Sequence, residues 1–320
     1  MSWFTPPNEE QLLSMYREMV RIRLFEEGIL RRESDGLAIH SCAGHEAVAV
    51  GIISQLSKQD LIVSNHRPWG HFLAKGGNLR ESFAELYGRD DGVCKGIGGE
   101  MNLCKPEIGF VQSTMIVGAC LTFACGVALS IKRLLKVGPI AAVFFGEGAS
   151  TNGAFNEALT LARVLELPLL FVCENNGVNG NTPAHEYMPT ELVIHRASGY
   201  GFPTNVCDGS DVLAVWEAGQ KAIEHVRKRR SPYLLECLVA RINRHKVPRM
   251  TDVRPAEIKR GARMRDPIPK LRTALLSEGL MSESEAKAIS EQILEEVNEA
   301  GPVSLNSWAG QIARLGYHTG

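Results

Sequence analysis

The sequence predicts an α/β fold, a doubly wound parallel sheet with helices on both faces. Three observations lead there. From Gly118 onward, segments with helical apolar periodicity alternate with short apolar runs, and strands that alternate with helices are joined by right-handed crossovers into a parallel sheet. Those runs, at 140–145, 168–173 and 233–240, are nearly free of polar residues, which fits burial on both faces. Two of them lead into turns carrying carboxylates, amides and glycines, at the edge where open parallel sheets bind ligands.

Taken in order, Leu12, Leu13, Tyr16, Met19, Val20, Leu24 and Phe25 recur at helical spacing, so the chain opens with an amphipathic helix continuing towards Arg32. A second helix is expected over 46–56. The apolar run 61–64 precedes a polar turn, Asn65-His66-Arg67-Pro68, where an exposed arginine is the usual case. Asn78 followed by Glu81 reads as a capping box for a helix through Tyr87. Residues 93–118 are glycine-rich and expected to be irregular, with the Gly96 to Gly99 cluster a flexible loop. Beyond them come a helix over 118–136, a strand, a helix over 152–165, a second strand, a helix over 211–228 and a third strand. Lys228, Arg229 and Arg230 suit a solvated helix C-terminus. A proline- and arginine-rich connection spans 248–269, and Ser282 with Glu285 caps a last helix to about Ala300. The expected organisation is a single domain over 1–320, with N-terminal helices in 1–60 and a C-terminal helical extension in 270–320.

Of the 320 residues, 44% are hydrophobic and 22% charged, enough for a sizeable core without disulfides. Thirty-five basic and thirty-six acidic residues leave a net charge of -1, so no long-range field favours nucleic acid or an anionic membrane. Neither a signal peptide nor a membrane-length apolar window is evident, and a cytoplasmic location is expected. The eight cysteines form no CxxC pair and no zinc-spaced cluster, and read as small buried hydrophobes.

The chemistry concentrates at two strand ends. Ala141-Ala142-Val143-Phe144-Phe145-Gly146-Glu147-Gly148 holds a carboxylate between glycines, and Val172-Cys173-Glu174-Asn175-Asn176-Gly177-Val178 supplies further oxygen donors. About one βαβ unit separates Glu147 from Asn176, so neighbouring strands would bring them together. A carboxylate, an amide oxygen and a backbone carbonyl can fill three corners of an octahedron, and diphosphate oxygens with water can complete it as magnesium prefers. The glycines let a diphosphate approach backbone N–H groups at a helix start. A nicotinamide-binding reading fails because Gly146, Gly148 and Gly153 are spaced GxGxxxxG, and no Walker lysine follows for a nucleoside triphosphate.

GEGASTNGAF followed by LPLLFVCENNGVNGNTP resembles the thiamine diphosphate signature of the alpha subunits of 2-oxo acid dehydrogenase complexes. The likeness extends through His40, Gly44-His45-Glu46-Ala47-Val48, Ser64-Asn65-His66-Arg67, Leu73-Ala74-Lys75-Gly76, Lys95-Gly96-Ile97-Gly98-Gly99, Ile116-Val117-Gly118 and Arg241-Ile242-Asn243-Arg244-His245. It covers roughly residues 10–260. The resemblance implies a thiamine diphosphate-binding fold in which Glu147, Asn176 and the Val178 carbonyl hold Mg2+. His66, Arg67, Gly146, Gly148, Ala149 and His245 would face the diphosphate, and backbone at Met115 and Val117 the aminopyrimidine. His40 and His245 would be the catalytic histidines, His40 near the substrate. In this family the glutamate that activates the pyrimidine belongs to a beta subunit, so the resemblance also implies an α2β2 partner, with a lipoyl acyltransferase or a carrier protein as acyl acceptor.

Departures from the family are informative. Glu100 and Asn102 replace the serine and histidine of a GGSMH segment, Trp69 stands where histidine is common, and His245 is followed by Lys246-Val247-Pro248-Arg249-Met250 instead of a serine-rich phosphorylation loop. The implied reaction is cleavage of a small 2-oxo compound, pyruvate or acetoin in type, with the acyl fragment passed to lipoamide. A transketolase-like transferase loading a carrier or sugar, and a catalytically silent partner subunit, are the competing readings. Read without the family, His245 is a hydrogen-bonded structural histidine, while His45, His71 and Glu174 are open to structural or functional roles.

Overall fold

A computed structural model describes residues 4–31, 36–134 and 138–301. The chain begins with α1 (Glu9–Leu30), capped by Asn8 and Gln11 in a reciprocal capping box, and α2 (Glu46–Ile53). Next come β1 (Leu61–Ser64), α3 (Trp69–Ala74), α4 (Leu79–Leu86) and β2 (Phe110–Ser113). The regular part follows as α5 (Ala119–Leu134), β3 (Ala141–Gly146), α6 (Gly153–Val164), β4 (Leu169–Asn175) and a small hairpin of β5 (Val178–Asn179) and β6 (Thr182–Pro183). After α7 (Val193–Ala197) come β7 (Thr204–Asp208), α8 (Val212–Arg229) and β8 (Tyr233–Leu238), and then α9 (Ala256–Met264), α10 (Pro267–Ser277) and α11 (Glu283–Ala300).

Six strands form one sheet in the order β2-β1-β3-β4-β8-β7, and every pairing in it is parallel. Period-two alternation divides the core between two layers: Ala142 and Phe144 of β3 face the layer containing α1, α2 and α8, whereas Val143 and Phe145 face α5 and α6. All four are fully buried, each larger side chain contributing about 1.5–3 kcal/mol by leaving water. The helices near the two ends of the described chain share one side, where α10 and α11 pack on α1. The expected ends of the first helix at Arg32 and of the fifth at Lys136, and the extension beyond 301, lie outside the described residues.

Several local expectations are corrected. The segment 93–118 contains β2, a four-residue edge strand entered through Gly109 at φ 79 and paired to β1 with a register break that hides its periodicity. The supposedly flexible Gly96 to Gly99 loop is tied down, since the buried Glu85 carboxylate accepts N–H bonds from Cys94, Gly96 and Gly99 at 2.6–2.9 Å. The polar turn after β1 runs into α3, because Pro68 supplies a helical φ of -78 at its start. The second helix stops at Ile53 rather than Leu56, and Gln55 Nε2 then donates to Gly51 and Trp216 carbonyls at 2.6 and 3.1 Å.

Asn78 caps α4 at the Glu81 N–H, but the Glu81 carboxylate pairs with Lys105 instead of closing the box. The connection 248–269 holds α9 and the start of α10, both short and polar on their outer sides. Strand β7 was unforeseen because its residues are only half-buried at the sheet edge. Arg230 leaves the helix end in a left-handed conformation and donates to the Pro139 carbonyl at 2.8 Å. Of the cysteines, Cys104 is exposed and Cys94 and Cys207 are half-buried, so burial holds for the other five.

Candidate active site

Parallel pairing of β3 with β4 sets Gly146 opposite Glu174, so the turns after the two strands leave the same sheet edge side by side. Glu147 begins a 3-10 turn over Glu147–Thr151, after which Asn152 caps α6 through the Ala154 N–H at 3.0 Å. The Glu147 carboxylate is 2% exposed; it accepts from the Asn176 backbone N–H at 3.2 Å and from the Tyr187 hydroxyl at 2.7 Å. Burial raises its carboxyl above the ordinary value, and those two bonds only partly offset the effect. The Asn176 amide oxygen accepts from the Val178 N–H at 3.2 Å, which draws the β5–β6 hairpin against the Glu147 turn.

A cleft opens here, enclosing about 570 Å3 of space partly continuous with solvent. Its walls include His66, Arg67, Val117, Gly146, Glu147, Gly148, Ala149, Asn176, Val178 and His245. The structure thus gathers ten of the twelve candidate residues around one cleft. The other two are not lining residues: Met115, half-exposed, precedes the lining residue Ile116, and His40 lies beside His66 and His245 with ring centroids 5.2 and 4.9 Å away. Two exchanged backbone bonds of 2.9 Å between Ile39 and Val247 bring the His40 and His245 segments together.

Arg67, which lines the cleft, and Arg241 next to it meet at His245. Arg67 is 4% exposed, not solvent-exposed as its turn suggested; its Nη1 donates to the Ser41 carbonyl at 2.6 Å and its Nη2 lies 3.0 Å from His245 Nδ1. Arg241, 1% exposed, donates to the Gly180 carbonyl at 2.8 Å and lies 3.4 Å from the same His245 nitrogen. Among the described residues neither guanidinium has an acidic partner within salt-bridge distance. Burial and the neighbouring Arg67 push Arg241 down to about 9. Burial together with Arg67 pushes His245 to about 3 and His66 well below its ordinary value, so both imidazoles are neutral near pH 7.

Glu174, which lines the cleft with His45 and Asn65, is the centre of a second polar cluster. It accepts from Asn65 Nδ2 at 3.1 Å and faces His71 Nε2 and His45 Nδ1 at 3.3 and 3.5 Å. Burial would raise this carboxyl, but the two histidines hold it far below the ordinary range. Asn65 in turn accepts the Arg67 N–H at 2.8 Å, so the cluster aims the arginine. The Cys173 thiol is pushed well up by burial and nearby carboxylates and is no nucleophile.

These features suit an anion held with a cation. His66 Nε2, in the lining, is buried without a hydrogen-bond partner among the described residues, leaving a donor for a ligand, and Arg241 Nε is likewise unpartnered beside the lining residues Gly180 and His245. A methyl at Gly148 would lie 2.9 Å from the Asn179 amide, so the turn passes too close to the hairpin for a larger residue. Among the described residues no group of three or more His, Cys, Asp and Glu is placed to hold a metal ion. Sequence reading missed Tyr187, which is distant in the chain, and Arg241, whose position directly after an apolar strand was the available signal.

Residues 16–305 match the family described as dehydrogenase E1 component. The alpha subunit of the acetoin:2,6-dichlorophenolindophenol oxidoreductase of Bacillus subtilis is 40% identical over 236 residues, covering 73% of this chain and 71% of that protein. The Cupriavidus necator protein of the same description is 39% identical over 244 residues, 75% and 73% of the two chains. The mitochondrial pyruvate dehydrogenase E1 component subunit alpha of Pisum sativum is 35% identical over 301 residues, 92% and 74%.

Proposed function

Because this chain belongs to the dehydrogenase E1 component family, as a relative of its alpha subunits, we propose that it is the diphosphate-binding half of an enzyme that cleaves a small 2-oxo compound, pyruvate or acetoin in type. The observation that carries this reading is the meeting of Glu147 and Asn176 at adjacent strand ends beside two buried guanidinium groups without carboxylate partners. The family implies thiamine diphosphate, whose thiazolium supplies a carbanion and then an electron sink. Glu147, Asn176 and the Val178 carbonyl would hold Mg2+, and Arg67, His66, Arg241, His245 and backbone at Gly146, Gly148 and Ala149 would hold the diphosphate.

Each side chain then has a physical task. Arg67 and Arg241 offset phosphate charge in a site that excludes water, where such pairing is strong. The neutral imidazoles of His66 and His245 can donate without adding repulsion towards those arginines. Gly118, at φ 90, leaves room where a methyl would lie 3.1 Å from the Asn152 side chain, and Asn152 Nδ2 holds the Val117 carbonyl at 3.1 Å. Met115, Ile116 and Val117 are 43–60% exposed at the cleft mouth, a surface suited to a beta subunit bringing the pyrimidine-binding half, in an α2β2 assembly that passes the acyl group to a lipoyl acyltransferase.

The test is co-expression with a beta partner and assay of pyruvate- and acetoin-dependent dye reduction with and without lipoamide. Lipoamide-dependent turnover supports the dehydrogenase. Turnover only with a carrier protein or sugar acceptor would favour the transferase instead. Among the described residues no helix is long and apolar enough to cross a membrane.

A further inference from the structure

A single carboxylate joins the segment before β2 to the loop after His245, and it does so over His40. Glu100 Oε2 accepts the His40 backbone N–H at 2.8 Å and lies 3.3 Å from His40 Nδ1. The other oxygen, Oε1, pairs with the Lys246 ammonium. The side chains of Glu100 and His40 each retain only 11% of their exposure, so water screens the contact weakly. Burial alone would raise the Glu100 carboxyl, yet His40 and Lys246 outweigh it and hold it below the ordinary value.

The three clustered imidazoles are therefore not equivalent. His245 presents Nδ1 to two guanidinium groups, and His66 lies beside Arg67. His40 alone among the three presents a ring nitrogen to a carboxylate. An imidazole nitrogen facing a carboxylate carries the hydrogen, which leaves the other nitrogen as the proton acceptor. The charged and titratable groups around His40 are Glu100 and Lys246 from two loops, His66 after β1, and His245, with Arg67 and Arg241 behind the last.

We propose that Glu100 is a positioning residue for His40, holding Nδ1 as the N–H donor so that Nε2 exchanges protons with a substrate oxygen, and that Lys246 tempers this by sharing the carboxylate. The proton moves between Nε2 and that oxygen, and no electron transfer is involved. The identity of the substrate rests on the function proposed above; the His40 geometry does not.

The nitrogen shifts of 15N-labelled histidine, assigned on the full chain with and without the beta partner, read which ring nitrogen of His40 carries the hydrogen. The wild type should show the Nδ1–H form, as the Glu100 contact requires. Glu100→Ala should lose that preference, Glu100→Asp should restore part of it, and Lys246→Met should strengthen it. In the assembled enzyme Glu100→Ala should lower kcat about tenfold with KM little changed. An unchanged Nδ1–H preference in Glu100→Ala overturns the proposal, as does lost turnover with that preference intact; a wild type in the Nε2–H form overturns it even where the alanine variant fails to fold. A wild-type chain that binds no thiamine diphosphate would sink the functional reading separately, because the His40 tautomer needs no cofactor.

Discussion

The backbone N–H of Asn176 donates to Glu147 Oε2 at 3.2 Å, folding the turn after β4 onto the carboxylate that follows β3. The two residues are thus held together before any ligand arrives. Glu147→Ala or Asn176→Ala should abolish magnesium-dependent thiamine diphosphate binding, measured by calorimetry, while circular dichroism stays native. Unchanged affinity in both variants would refute the metal assignment.

Arg241 is buried beside Arg67, and its Nε has no partner among the described residues. Leaving such a charge uncompensated costs stability until an anion arrives. Arg241→Gln should therefore weaken diphosphate binding at least tenfold without lowering the unfolding temperature of the ligand-free chain. A thermal-shift titration checks both; an equal loss of stability with and without cofactor would assign Arg241 a purely structural role.

Gly44 has φ 97, and a methyl there would fall 1.9 Å from the Ala240 carbonyl oxygen. Backbone cannot move aside as a side chain can, so Gly44→Ala should cost more than about 3 kcal/mol and separate the His40 and His245 segments. Chemical denaturation measures the first effect, and loss of cofactor binding in whatever folds measures the second.

Asp60 is fully buried and accepts from the Ser57 and Ile140 N–H groups at 2.6 and 2.8 Å and from both Arg227 Nη atoms at 3.1 and 2.7 Å. Burial alone would raise its carboxyl, but Arg227 and the backbone donors lower it overall. A lowered folded value means that the stabilisation is complete above the unfolded value near 3.8 and is lost as pH falls through the folded one. Asp60→Ala should cost about 2 kcal/mol, at the low end for a buried pair because Arg227 can reach water. The gap from wild type should stay constant between pH 5 and 8 and close below about pH 4, as urea melts across that range would record. A gap that widened on acidification would contradict the sign.

The apolar residues Ile97, Met115, Ile116, Val117 and Phe123 are 43–63% exposed, and exposed apolar surface favours association. The chain purified alone should self-associate and show no turnover, and co-expression with a beta subunit should give an α2β2 particle by light scattering. Full activity from this polypeptide alone would overturn the subunit argument.

What was legible in the sequence followed local rules. Unbroken apolar runs specify buried parallel strands, and the Ser282–Glu285 pair specifies a helix start, because burial and capping depend on residues a few positions apart. The Glu147 and Asn176 turns were legible for the same reason, being fixed to consecutive strand ends. Strand β7 was not, since its half-exposed residues gain strand form only by pairing with β8. Nor could local reading tell that Arg67 is buried, that Tyr187 touches Glu147, or that Glu100 holds His40. Those contacts join segments 26 to 60 residues apart, and only the packed fold decides which distant polar groups must share a dry space.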